Sequence, residues 1–187
     1  QGFQLSSRDV VSGEERLYTC KYLVLATGQR GQLRDLQVSG ENLPFVTARY
    51  DKPEDFSGER VVVVGGGRSG DWAAVELHDA GKQVYYAMRQ DPAVHWQLIN
   101  DSRQGLPYYK RIAEILESRS PRLDSMYHTQ VTKIGEGGQV ELETPDGARI
   151  IEVDHVIKEI GGVADYSILQ GFDALQLTPM RDNYRFQ

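Results

Sequence analysis

The chain has 187 residues, which is enough for one domain with a buried core and part of another. It is 40% hydrophobic and 26% charged, typical of a globular protein, and its net charge of −6 argues against nucleic acid or an anionic membrane surface as main partner. We expect neither a membrane span nor a signal peptide, because no apolar run approaches roughly 20 residues. The one cysteine, Cys20, excludes an internal disulfide and favours a reducing, cytoplasmic setting.

The first 57 residues are predicted to form short strands and a long connection. Residues 2–6 and 17–20 flank a polar turn and predict a hairpin, in which Cys20 is expected to be a small core residue. Residues 22–28 form an apolar run that ends at a glycine, which predicts a buried strand. Residues 29–59 contain prolines and glycines with little periodicity, which indicates a connection between two structural units.

The clearest pattern in the chain is a strand, a glycine turn and a helix in direct succession. Residues 61–64 are four valines, which predict a strand buried on both faces. The spacing of Gly65, Gly67 and Gly70 follows, and then a helix is predicted over 71–80 with Gly81 as its cap. This succession is the context that a dinucleotide-binding glycine turn requires.

Each glycine of the turn has a predicted role. Gly65 allows the tight turn out of the strand, and Gly67, without a Cβ, lets the backbone approach a pyrophosphate, with a positive φ a further use of that glycine. Gly70 lets the helix pack close to the strand, although we expect an alanine there to be tolerated. Gly66 completes the turn, and the free N–H groups and dipole of the helix would attract the phosphates.

Four residues outside this glycine series are further candidates for the cofactor site. Arg89 follows Gly70 by 19 residues at the end of the strand predicted over 83–88, where NAD-binding units carry an acidic residue for the ribose. An arginine there can bind the 2′-phosphate of NADPH, or it can be a solvated strand end. Arg68 can serve the adenine end or stay solvated, and Ser69 can donate to phosphate or cap the helix. Gly161 ends a strand predicted over 156–160.

The remaining elements complete an α/β fold. A helix is predicted over 107–118, and imperfectly alternating runs over 126–134, 139–144 and 150–153 predict an antiparallel meander of three strands. A short helix is expected over 166–172, while 91–107 and 173–187 show little pattern. The predicted fold is a Rossmann-type parallel sheet with this meander across it, in three layers, ββα.

Candidate catalytic and metal-binding residues are absent from the sequence pattern. The four histidines have neither metal spacing nor an acidic partner pattern and are assigned to surface or core: His78, His95, His128 and His155. Asp71, in the first turn of the helix, suits the helix dipole. We therefore expect no catalytic side chain and no metal in this chain.

The order of these motifs resembles the flavoprotein superfamily of pyridine nucleotide oxidoreductases, especially its flavin-containing monooxygenase-like and thioredoxin-reductase-like branches. The resemblance is carried by Leu25-Ala26-Thr27-Gly28, by Phe56-Ser57-Gly58-Glu59-Arg60 and by the glycine turn that follows. It implies that residues 1–57 are the tail of one half of an FAD domain with its connection. Residues 58–162 would then be the NAD(P)H-binding domain, and 163–187 a segment returning toward the FAD domain.

The sequence departs from these branches in three ways. The family's separate glycine turn for FAD is missing, so we expect the chain alone to hold no FAD and the full-length protein to hold it. The Cys-x-x-Cys pair of thioredoxin reductases is also missing, which argues against a dithiol relay. Val46 and Thr47 stand where flavin-containing monooxygenases carry a His-Ser pair.

The resemblance implies an NADPH-binding domain that delivers hydride to flavin in an intact oxidoreductase, with the nicotinamide dinucleotide and the rest of the FAD domain as partners. The alternative is a non-catalytic or degenerate nucleotide-binding domain with a role in sensing or interaction. The chain alone is expected to be inactive, and its substrate and oligomeric state are left open.

Overall fold

The structure, a computed structural model, describes residues 2–24, 32–102, 105–163, 177–180 and 183–186. Along the chain, the elements in these ranges are β1 (Phe3–Arg8), β2 (Glu15–Cys20), β3 (Gln32–Leu33), β4 (Val46–Thr47), a short 3-10 helix (Pro53–Asp55), β5 (Arg60–Val64), α1 (Arg68–Asp79), β6 (Gln83–Ala87), α2 (Pro92–Ser102), α3 (Pro107–Glu117), β7 (Leu123–Met126), β8 (Gln130–Ile134), β9 (Gln139–Thr144), β10 (Gly147–Glu152), β11 (His155–Lys158), β12 (Gly162–Val163), β13 (Leu177–Met180) and β14 (Asn183–Phe186).

A five-stranded parallel sheet forms the middle layer, in the order β4-β11-β5-β6-β7. Its central strand is β5, whose four valines are almost wholly buried. Val61 and Val63 pack in the core on the helical side, and Val62 and Val64 pack in the core on the other side. The predicted strand buried on both faces is therefore confirmed.

Helices cover one face of the sheet. Ala73 and Leu77 of α1 are wholly buried in the same core as Val61 and Val63, and Ile112 of α3 joins them. Helix α1 begins at Arg68, three residues before the predicted start, because the glycine turn ends earlier than its last glycine. Helix α2 lies in the stretch without a readable pattern, since only two of its described side chains, His95 and Ile99, are buried and one of them is polar.

The antiparallel sheet β10-β9-β8 covers the other face, so the predicted three-layer ββα arrangement is confirmed. Val131, Val140 and Leu142 of this meander pack against Val62 and Val64. The strand predicted over 126–134 is in fact two strands. Its beginning belongs to β7, the edge of the parallel sheet, and a turn with positive φ at residue 128 separates it from β8.

The N-terminal part contains the predicted hairpin, with β1 and β2 antiparallel and Phe3 opposite Cys20. Cys20 is half-buried at the end of this hairpin and is not a core residue. Tyr22 and Val24 are exposed and outside any strand, so the buried strand predicted over 22–28 is wrong in its described part. Residues 25–28, as well as the helix predicted over 166–172, lie outside the described residues.

The long connection contributes to the main unit. Its strand β4 extends the parallel sheet beyond β11, and Leu36, Val38 and Phe45 pack against the core on the meander side. Short antiparallel pairs are formed by β3 with β12 and by β13 with β14. Within the described ranges, none of the helices has the length and apolar character that crossing a membrane demands.

Candidate functional site

The order of the sheet creates a crevice at the carboxyl end of β5. From β5 the chain passes to β6 and β7 on one side, and it returns after the meander to β11 on the other side. The point where the order reverses therefore lies between β5 and β11. In open parallel sheets, ligands bind in the crevice at such a point, outside the carboxyl ends of the strands.

A cleft of about 640 Å³ occupies this position. Its walls are the glycine turn after β5, the residues that follow β6 and β11, and the segment at Asp35 and Leu36. The residues predicted from the sequence that line it are Gly65, Gly66, Gly67, Arg68, Ser69, Arg89 and Gly161. The structure thus brings together all but one of the candidates, the exception being Gly70, which lies behind the turn.

Gly65 and Gly66 are surrounded by neighbouring atoms. Gly65 has φ +118°, and a Cβ there would lie 2.4 Å from the carbonyl oxygen of Glu159. A Cβ on Gly66 would lie 2.5 Å from Nε2 of Gln90, which donates a hydrogen bond of 2.7 Å to the Gly66 carbonyl oxygen. Gln90 was not predicted from the sequence, and its amide fixes the turn against the end of β6.

Gly67 differs from its neighbours because nothing lies within 4 Å of the position that its Cβ would take. It lines the cleft and is the N-cap of α1, with φ −100°. The predicted use of positive φ is therefore wrong for this residue. The space around Gly67 fits the predicted approach of a pyrophosphate, and the first N–H groups of α1, which have no carbonyl partner within a helix, begin directly behind it.

Gly70 supports the turn from behind. A Cβ on this residue would lie 1.9 Å from the carbonyl oxygen of Gly65 and 3.0 Å from the hydroxyl of Tyr86. Real Cβ atoms do not approach backbone oxygen so closely. The close packing predicted for Gly70 is present, and the expected tolerance of an alanine is contradicted because a backbone atom occupies the space.

Two exposed arginines bring positive charge to the cleft. Arg68 lies in the first turn of α1 and Arg89 just beyond β6. Within the part of the chain that the structure describes, neither guanidinium forms an ion pair. Asp91 is already engaged close by, since its carboxylate accepts a hydrogen bond of 2.7 Å from the N–H of Ala93 and lies 3.3 Å from Nε2 of His128.

A buried ion pair holds the segment that forms the cleft's far wall. Nζ of Lys158, at the end of β11, lies 2.5 Å from Oε1 of Glu41, and both side chains are buried. Glu41 also accepts hydrogen bonds from the N–H groups of Leu36 and Gln37. Burial opposes the charge on Glu41, but the hydrogen bonds from Lys158 and these two N–H groups outweigh burial and lower the pKa of the carboxyl.

Behind the glycine turn lies a buried polar network that sequence reasoning missed. Asp71 Oδ1 accepts a hydrogen bond of 2.8 Å from the Tyr86 hydroxyl and lies 2.6 Å from Nε2 of His95. Nδ1 of His95 lies 3.0 Å from the Tyr127 hydroxyl. Burial, and then the Asp71 carboxylate, raise the pKa of Tyr86 well above its ordinary value and that of Tyr127 to about 12.

The network adds to one prediction and corrects another. Asp71 lies in the first turn of α1, as predicted, and it is also a wholly buried carboxylate. Histidines without acidic partners were expected, yet His95 faces Asp71, His78 lies 3.0 Å from Asp79 and His128 lies 3.3 Å from Asp91. Across the described residues, no three His, Cys, Asp or Glu side chains are grouped as a metal site would require.

The comparison with known protein families agrees with this architecture. The family described as pyridine nucleotide-disulphide oxidoreductase matches residues 5–183, nearly the whole chain. The chain belongs to this family. The resemblance stated from the sequence is thereby confirmed.

Curated relatives match over shorter stretches. The ferredoxin–NADP reductase of Ignicoccus hospitalis is 39% identical over 80 residues, which is 43% of this chain and 26% of the relative. Human flavin-containing monooxygenase 2 is 32% identical over 82 residues, which is 42% of this chain and 15% of the relative. The matched stretches thus span 26% or less of these relatives.

Solved structures share the fold over the whole chain. The bacillithiol disulfide reductase Bdr (YpdA) of Bacillus cereus matches with a TM-score of 0.78 and 22% identity, over all of this chain and 54% of that one. The chain therefore spans about half the length of this structure. The parallel sheet, the helical layer and the antiparallel sheet are shared with this structure.

Proposed function

We propose that this chain is the NADPH-binding domain of an FAD-dependent oxidoreductase, with residues 58–162 as its nucleotide-binding part and the flanking residues as pieces of the FAD domain. In the whole enzyme, bound nicotinamide would supply hydride to the flavin. The side chains of this chain bind and orient the dinucleotide and take no covalent part. The whole enzyme would be a cytoplasmic oxidoreductase, either monooxygenase-like or reductase-like.

The open space at Gly67 is the observation that carries the proposal. Three glycines of one turn are crowded by backbone or side-chain atoms, whereas Gly67 faces the cleft with nothing against it. A backbone that approaches a pyrophosphate needs this combination of crowding behind and space in front. Helix N–H groups at the same point favour an anion.

The two ends of the dinucleotide can be assigned to the two walls. Arg89 stands at the end of β6, where the adenosine ribose lies in units of this kind, and its guanidinium suits a 2′-phosphate. The residues after β11, including Gly161, would then flank the nicotinamide half. The chain's net charge of −6 makes this positive edge a local feature rather than a consequence of overall charge.

Binding of NADPH and NADH, followed by tryptophan fluorescence, tests the proposal. Gly67→Val should abolish binding of both, because a branched side chain fills the approach to the pyrophosphate. Gly137→Val is the matched control: Gly137 also has open space and ordinary φ, but it lies in the turn between β8 and β9, outside the cleft. A folded Gly67→Val protein with unchanged NADPH affinity would refute the assignment.

The absorption spectrum of the full-length protein tests the second half of the proposal. A bound flavin gives a yellow protein whose absorbance is lost when NADPH is added without oxygen, which reports hydride transfer. A full-length protein that binds NADPH but carries no flavin would instead have the sensing or interaction role considered above.

A further inference from the structure

A second depression continues the cleft beyond Arg89. It has a volume of about 470 Å³ and shares Arg89 and Gln130 with the cleft. Its other lining residues are His128, Thr129, Glu143, Thr144 and Pro145. Arg89 therefore stands on the boundary between the two spaces, and an anion bound by its guanidinium borders both.

The backbone fixes His128 next to Arg89. The N–H of Thr129 donates to the carbonyl oxygen of Met88 at 2.8 Å, and the N–H of His128 donates to that of Gln90 at 3.3 Å. These two hydrogen bonds lie on either side of Arg89 in sequence. Residue 128 also has φ +50°, an uncommon conformation for a residue other than glycine, which the two bonds hold in place.

Two carboxylates lie near His128, those of Asp91 and Glu143, and each already accepts a hydrogen bond from another residue. Its imidazole is half exposed, and Nε2 lies 3.3 Å from Oδ2 of Asp91, whose other oxygen caps α2. Glu143, across the depression, accepts a hydrogen bond from the amide of Gln130. A protonated imidazole donates from both nitrogens, so His128 can keep Asp91 on Nε2 and offer Nδ1 to a second anion.

We propose that His128 acts with Arg89 to bind the 2′-phosphate of NADPH, and so helps to determine the preference for NADPH over NADH. This inference rests on the proposed function and adds a residue that no spacing rule identifies, because it comes from the meander side of the sheet. Asp91 opposes the preference, since its carboxylate lies beside the site and repels the phosphate.

Adenosine 2′,5′-diphosphate and 5′-AMP are suitable probes, because they differ only in the 2′-phosphate. Calorimetric titration of the chain should give tighter binding of the diphosphate. His128→Asn should reduce the ratio of the two affinities roughly three- to tenfold, with 5′-AMP binding unchanged, the modest size reflecting a half-exposed group. Asparagine is chosen because it accepts positive φ.

Two further variants complete the test. His155 lines neither the cleft nor the second depression, so His155→Asn should leave the ratio of the two affinities unchanged. Asp91→Asn keeps the helix cap, removes the charge that repels the phosphate and should raise the ratio.

A ratio that survives His128→Asn but falls in Arg89→Ala would overturn the role of His128 alone. Equal affinities of the wild type for the two probes would overturn the NADPH preference and this inference together. A ratio unchanged by Asp91→Asn would contradict the repulsion between carboxylate and phosphate.

Discussion

The carboxylate of Asp71 and the imidazole of His95 lie 2.6 Å apart in a core that shields both side chains completely from solvent. The pair joins the first turn of α1, directly behind the glycine turn, to α2. Through the hydroxyls of Tyr86 and Tyr127, the same contact reaches β6 and the turn after β7. The elements that shape the cleft therefore share one polar network as well as an apolar core.

Removing one member of this network should be costly. Asp71→Ala leaves a buried imidazole and a buried hydroxyl without their acceptor, and we expect it to lower the free energy of unfolding by about 3–5 kcal/mol. Asp79→Ala, on the same helix, breaks the half-exposed ion pair with Arg111 and the 3.0 Å contact with His78, and should cost about 1–2 kcal/mol. Urea unfolding of both variants measures the difference, and equal losses would show that burial of the pair does not matter.

Gly70→Ala should destabilise the protein and weaken NADPH binding. The added methyl would lie 1.9 Å from the Gly65 carbonyl oxygen, so α1 or the turn must move. We expect a loss of about 1–3 kcal/mol, the usual range for overpacking. Gly137→Ala adds the same methyl in open space and should change stability little. Thermal and urea unfolding of both variants measure the difference in stability. A Gly70→Ala protein as stable as Gly137→Ala would contradict the close contact.

Arg89→Ala should remove most of the discrimination between NADPH and NADH. A hydrogen bond to a charged group contributes roughly 1.5–3 kcal/mol, or about ten- to a hundredfold in affinity, and only NADPH carries the 2′-phosphate. NADH binding should barely change. Arg122→Ala, an exposed arginine before β7 and outside the cleft, is the control. If Arg89→Ala weakens both cofactors equally, the residue is structural.

Acid should weaken the far wall of the cleft through Glu41. The folded state lowers the pKa of this carboxyl below its ordinary value of 4.5, so the stabilisation is complete above that value. It is lost as pH falls through the lower folded-state pKa, when the carboxyl protonates and Lys158 loses its buried partner and keeps only the exposed carboxylate of Asp35 at 3.5 Å. The free energy of unfolding, measured between about pH 6 and 3.5, should therefore fall less steeply in Glu41→Gln than in the wild type. Glu136→Gln, in an exposed turn, should keep the wild-type slope.

The parts of the site that could be predicted from the sequence are those determined by neighbours in the chain. Strand, glycine turn and helix follow one another without interruption, so the position of Gly65, Gly67 and Arg89 at one edge of the sheet could be predicted. The partners of the buried polar groups could not be predicted. His95 meets Asp71 across 24 residues and Lys158 meets Glu41 across 117, and neither pair leaves a local pattern.

Close steric contacts could also not be predicted from the sequence. The predicted mildness of an alanine at Gly70 came from the general behaviour of helix packing, whereas the outcome depends on the position of a single carbonyl oxygen. The division of 126–134 into two strands likewise depends on one residue with positive φ, and a histidine gives little warning of that conformation.

The place of β11 in the sheet has a consequence for the order of folding. Asp154, just before this strand, binds the N–H of Arg60, 94 residues earlier in the chain, so the contact closes a long loop and forms slowly. Until then one edge of β5 is an open template for pairing with other chains, beside four valines. During synthesis, β5, α1 and β6 emerge long before that edge is covered. The interval before β11 arrives is therefore the period in which we expect this protein to depend most on chaperones.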